Sequence, residues 1–222
     1  MTPGRTVGGD GPHADQPILT AGAPRGAADA ALVLLHGRGA TANGILDLGH
    51  ELARSGVTLV APQAARSRWY PYSFVAPREQ NQPHLDSALR AVGDAVEVAK
   101  DAGVPQNRIV ILGFSQGACL ASEWAIHNPD RYGGIVALSG GLVGPTGTTW
   151  PESGTFDGTP AFFGCDEADP HVSAERVRAS AAAYRERGAD VTERLYDGVG
   201  HTVTDDEVVW VRRLLDDLRA ED

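Results

Sequence analysis

The stretch Arg108-Ile109-Val110-Ile111-Leu112-Gly113-Phe114-Ser115-Gln116-Gly117 decides how the rest of the chain is read. After one arginine it runs through four aliphatic residues without alternation, the pattern of a strand buried on both faces in a parallel sheet. Beyond Gly117 the residues are suited to a helix until Asn128-Pro129, where a helix has to stop. Gly-x-Ser-x-Gly therefore falls at a strand-to-helix turn. So sharp a turn puts the serine in a strained backbone conformation. Glycines are needed at 113 and 117 because a side chain there would strike the neighbouring strand and helix. In a chain with 27 glycines the five-residue pattern alone says little. Its placement makes Ser115 the candidate nucleophile.

Outward from this turn the same alternation repeats. Short apolar runs at 32–35, 58–61, 108–112, 134–138, 161–163 and 192–196 are separated by helical segments at 43–55, 84–103, 116–127, 174–188 and 205–219. Such alternation predicts an α/β fold, a mostly parallel sheet covered by helices on both faces. An edge strand is possible near 17–20. Residues 1–29 are rich in Gly, Ala and Pro, and of these 1–15 are expected to be a flexible tail, with 16–222 a single domain. Two loops, 62–83 and 140–160, exceed ordinary connectors and carry Trp69, Tyr70, Tyr72 and Trp150, aromatic content that favours ordered loops over solvated linkers.

An acyl-transfer nucleophile needs donors for the oxygen that becomes negative. The run Leu34-Leu35-His36-Gly37-Arg38-Gly39 follows an early strand and is expected beside the elbow, so the backbone N–H groups of Arg38 and Gln116 are the candidate oxyanion donors. The Arg38 side chain would add a cation near the mouth. A base must follow in the chain. His201, in Gly198-Val199-Gly200-His201, lies after the last strand, where an imidazole can reach over the sheet. His171 is its one serious rival. For the third member, Asp166, Glu167 and Asp169 all lie after the strand at 161–163, and spacing alone does not choose among them. At least two of the three are expected to be ordinary solvated carboxylates.

Composition narrows the function classes. With 29 acidic and 19 basic residues the formal charge is −10, and no basic cluster suits a nucleic-acid backbone or an anionic membrane. Cys119 and Cys165 lie in apolar surroundings without the spacing of a metal site, so neither a metal nor another cofactor is expected. No run approaches the roughly 18 apolar residues of a membrane span, and the first residues do not form a secretory leader. A cytoplasmic protein without stable membrane insertion is the resulting expectation. Oligomeric state is not readable.

These residues resemble the phospholipase/carboxylesterase family of α/β hydrolases, whose members include small bacterial carboxylesterases and acyl-protein thioesterases. The resemblance rests on Leu35-His36-Gly37 with Gly39, Gly113-Phe114-Ser115-Gln116-Gly117, Asp169-Pro170-His171-Val172 and Gly200-His201, in that order. It implies the α/β-hydrolase fold without a separate lid domain. It also implies a small-molecule ester or thioester substrate in an open cleft, with Trp69, Tyr70, Tyr72 and Trp150 as candidate substrate-contacting walls, and a Ser115, His201 and Asp169 triad. Asp169 is selected because the family's acid stands in a Gly-x-x-Asp-x-x-Val-Pro pattern that aligns on Val172, although Ser173 replaces the proline. Asp166 is then expected to matter little. Acyl transfer to another acceptor would use the same acyl-enzyme, and a binding protein that has lost the reaction is the alternative from another class.

Overall fold

The computed structural model describes residues 5–151 and 153–220. Among them, seven strands form one sheet: β1 (Ile18–Gly22), β2 (Ala30–Leu35), β3 (Val57–Pro62), β4 (Ile109–Phe114), β5 (Gly134–Leu138), β6 (Pro160–Asp166) and β7 (Asp190–Tyr196), in the order β1-β3-β2-β4-β5-β6-β7. Only β1 runs antiparallel, pairing Ile18 with Pro62 and Gly22 with Thr58. The helices are α1 (Ala42–Leu52), α2 (His84–Asp101), α3 (Gln116–His127), α4 (Ala174–Arg185) and α5 (Asp205–Ala220).

The apolar runs work because successive side chains of a strand point to opposite faces. In β2, Ala30, Leu32 and Leu34 pack on α1 and α5, whereas Ala31, Val33 and Leu35 pack on the side of α2, α3 and α4. Phe162 and Phe163 divide the same way in β6. Burying each such side chain contributes on the order of 1.5–3 kcal/mol. A charge in β2 or β4 would therefore lose on either face. β7, at the edge, is only half-buried and tolerates Asp190, Glu193 and Arg194. Among the described residues there is no separate lid domain, and no helix is long and apolar enough to cross a membrane.

The flexible tail expected over residues 1–15 is corrected for its described part, and residues 1–4 lie outside the described residues. Val7 and His13 are buried, at 1% and 0% exposure. The Val7 N–H donates to Gln16 O, and the Asp15 N–H returns to Val7 O. The His13 ring accepts from Ala65 N–H at 3.0 Å and donates to Trp69 O at 2.8 Å, and its own N–H donates to Ser87 Oγ. Glycine-rich composition did not leave the segment loose because one valine and one fully bonded imidazole anchor it.

Four loops leave the carboxyl ends of β2, β4, β6 and β7, which brings residues 36–39, 115, 167–172 and 197–204 to one rim of the sheet. That is where open α/β sheets place their sites.

Candidate active site

Ser115 sits between β4 and α3 with φ 54° and ψ −119°, a conformation an L-residue adopts only under constraint. The constraint is visible: a Cβ on Gly113 would collide with the Gly117 carbonyl, and one on Gly117 with the Leu35 carbonyl. The Ser115 N–H donates to Leu138 O at 2.9 Å, and Ser115 O accepts from Cys119 N–H at 3.1 Å. The turn is thus pinned to β5 on one side and to α3 on the other.

A hydrogen-bonded chain runs outward from this serine. Its Oγ lies 2.8 Å from His201 Nε2, and His201 Nδ1 lies 2.7 Å from Asp169 Oδ2. The ionised carboxylate can only accept, so Nδ1 carries the proton and Nε2 is left to accept from Ser115. The Asp169 side chain is fully buried and that of His201 18% exposed. Burial pushes the Asp169 carboxyl up. Bonds from His201 and from the N–H groups of His171 and Val172 outweigh it, and the carboxyl is held below its ordinary value. His171 is placed at the rim, its ring 4.8 Å from that of His201 and edge-on to it, so it is a neighbour of the chain and not a link in it. Phe114, inside the elbow motif yet not singled out from the sequence, packs its ring 5.0 Å from His201.

The turn after β2 lies where it was expected: a Cβ on Gly37 would stand 3.5 Å from Ser115 Cβ. Gln116 opens α3, whose first N–H groups have no acceptor within the helix. The Arg38 guanidinium, read from the sequence as a cation at the mouth, is instead engaged with the carbonyls of Tyr70, Pro71 and Tyr72 at 2.8–2.9 Å. A second clamp comes from the Gln116 side chain, which accepts from Trp69 N–H and donates to Tyr70 O, both at 2.9 Å.

Between these walls is a cleft of about 580 Å³ lined by Ser115, His201, Arg38, Tyr70, Tyr72, Phe74, Phe114 and His171, among others. Tyr70 and Tyr72 border it, Tyr72 at 57% exposure. Trp69 and Trp150 do not line it, which corrects their candidacy. Trp69 is fully buried, its indole N–H donating to His36 O, because a ring of that size is the plug that fixes the loop from beneath. Trp150 lies in a separate depression, 5.7 Å from the Arg176 guanidinium. Cys119 borders the cleft too, but burial pushes its thiol up to about 12, so it is no rival nucleophile.

The three carboxylates after β6 separate clearly. Glu167 is exposed and pairs with Arg178 at 2.9 Å, the solvated fate expected of it. Asp169 meets His201. Asp166, also expected in solvent, is only 2% exposed and accepts three backbone N–H groups. The departure at Ser173 has a local reason as well: it caps α4, accepting from Arg176 N–H at 3.3 Å.

Comparison with known proteins agrees with this architecture. A solved phospholipase/carboxylesterase from Dyadobacter fermentans DSM 18053 superposes with a TM-score of 0.85 at 42% identity, over 90% of this chain and 96% of that one. Acyl-protein thioesterase 1 of Eremothecium gossypii is 32% identical over 143 residues, 60% of this chain and 58% of that protein. Acyl-protein thioesterase 1 of Saccharomyces cerevisiae is 30% identical over 125 residues, 55% of each. The matches thus span little more than half the length of these two relatives. The model of the family described as phospholipase/carboxylesterase matches residues 18–218, from β1 into α5, and on that extent the chain belongs to the phospholipase/carboxylesterase family of α/β hydrolases.

Proposed function

We propose that the protein hydrolyses carboxylic esters or thioesters of small molecules through an acyl-enzyme on Ser115. The observation that carries this reading is the unbroken chain Ser115 Oγ to His201 Nε2, and His201 Nδ1 to Asp169 Oδ2. In the first half-reaction Nε2 takes the hydroxyl proton as Oγ attacks the acyl carbonyl. The N–H groups of Arg38 and Gln116 receive the oxyanion, and the imidazolium, offset by Asp169, then gives its proton to the leaving alcohol or thiol. In the second, His201 activates water and the acid leaves. Tyr70 and Tyr72 hold the substrate in the cleft. Both leaving groups are included because the relatives carry the names carboxylesterase and thioesterase.

Ser115→Ala should abolish hydrolysis of a short p-nitrophenyl ester, and a fluorophosphonate probe should label Ser115 alone. Labelling of any other residue rules the assignment out. Product analysis with a competing alcohol distinguishes hydrolysis from acyl transfer.

A further inference from the structure

Asp166 ends β6, and its two oxygens serve two different loops. Oδ1 accepts from Ala168 N–H at 2.7 Å, and Oδ2 accepts from Val199 N–H at 2.5 Å and Gly200 N–H at 2.9 Å. Ala168 immediately precedes Asp169, and Gly200 immediately precedes His201. One buried carboxylate therefore bridges the loop that carries the acid and the loop that carries the base.

The base loop needs such a tie. Gly198 and Gly200 have φ of 71° and 73°, and a Cβ on either would meet nothing within 4 Å, so local packing does not select their conformation. The far end of the loop is held by Thr204 and Glu207, which bond each other's backbone N–H groups at the start of α5. Nearer β7, Glu167 N–H donates to Tyr196 O at 2.8 Å. Between these points Val199 and Gly200 are held by Asp166.

We propose that Asp166 is a positioning residue, which by holding the backbone on both loops sets the register in which Asp169 meets His201 and His201 meets Ser115. The proposal rests on the reading of Ser115, His201 and Asp169 as a triad. It requires a carboxylate and not merely an oxygen: three N–H groups converge on two acceptor atoms, and the amide of an asparagine would turn its NH₂ toward Ala168 or toward Val199 and Gly200. The group is ionised at neutral pH, since the N–H groups of Gly200 and Ala168, with that of Val199, hold its carboxyl below the ordinary value against burial and the charge of Asp169.

The test compares wild type, Asp166→Asn and Ser115→Ala on a short p-nitrophenyl ester, with proton NMR of the far-downfield His201 Nδ1–H. Asp166→Asn should lower kcat by about 10- to 100-fold, the scale of a misplaced catalytic group. KM should stay within about twofold, because Asp166 does not line the cleft. The Nδ1–H resonance should broaden or move upfield while the circular dichroism is unchanged. A variant that keeps its kcat, or loses it with the resonance unmoved, overturns the proposal. Hydrogen exchange on the wild type stands apart from any variant that fails to fold: the Val199 and Gly200 amides should exchange more slowly than that of Gly198, and equal rates would also overturn it. If Ser115→Ala retains activity, the triad reading fails. If Ser115→Ala is inactive and Asp166→Asn fully active, only the positioning role is lost.

Discussion

The side chain of Arg38 binds three consecutive carbonyl oxygens, those of Tyr70, Pro71 and Tyr72, while the preceding residue, Gly37, lies beside Ser115. The turn after β2 and the wall of the cleft are thereby one unit. A guanidinium suits this because its donors lie in a fixed planar fork, which a lysine ammonium does not reproduce. Arg38→Ala should leave the fold intact and raise KM for a p-nitrophenyl ester about tenfold, the loss of roughly 1.4 kcal/mol of binding, with Arg38→Lys recovering little of it. Steady-state kinetics on the two variants checks this. Ser115 was legible because Gly113 and Gly117 sit next to it in the chain. The role of Asp166 was not legible because two of its three donors, Val199 and Gly200, lie more than thirty residues away.

Among the elements, the N-terminal segment and the turn after β2 each meet the loop after β3 through a neutral imidazole. His13 accepts from Ala65 N–H and His36 from Ala64 N–H at 3.1 Å, so neither ring can be protonated without breaking its bond. Burial holds both below the ordinary imidazole value of 6.5. The unfolded chain therefore binds more protons than the folded one below that value. Stability is fully present above it and falls as pH drops through it. The urea midpoint should be lower at about pH 5.5 than at about pH 7.5, and His13→Gln should narrow the difference. An equal gap in the variant would remove His13 from the account. From sequence this segment read as a tail, because its anchors, Val7 and His13, are single residues without a period. The strands were legible as short unbroken apolar runs and the helices by their 3.6-residue repeat, signals that lie within each segment.

For the whole molecule, the two hydrophobic layers on either side of the sheet draw on residues from Val7 to Leu218. Calorimetry should show one unfolding transition whose calorimetric and van't Hoff enthalpies agree, and two resolved transitions would contradict a single domain. The sequence by itself determined the sheet, the helices and the elbow, since apolar periodicity and the glycines flanking Ser115 act over a few residues. It also narrowed the candidate base to a loop histidine and the candidate acid to three carboxylates. Which carboxylate reaches His201, which aromatic rings face the cleft and which are plugs beneath it, and where the Arg38 charge goes were decided by tertiary structure. These depend on loops from the ends of different strands meeting at one rim, and no local spacing encodes the distance between them.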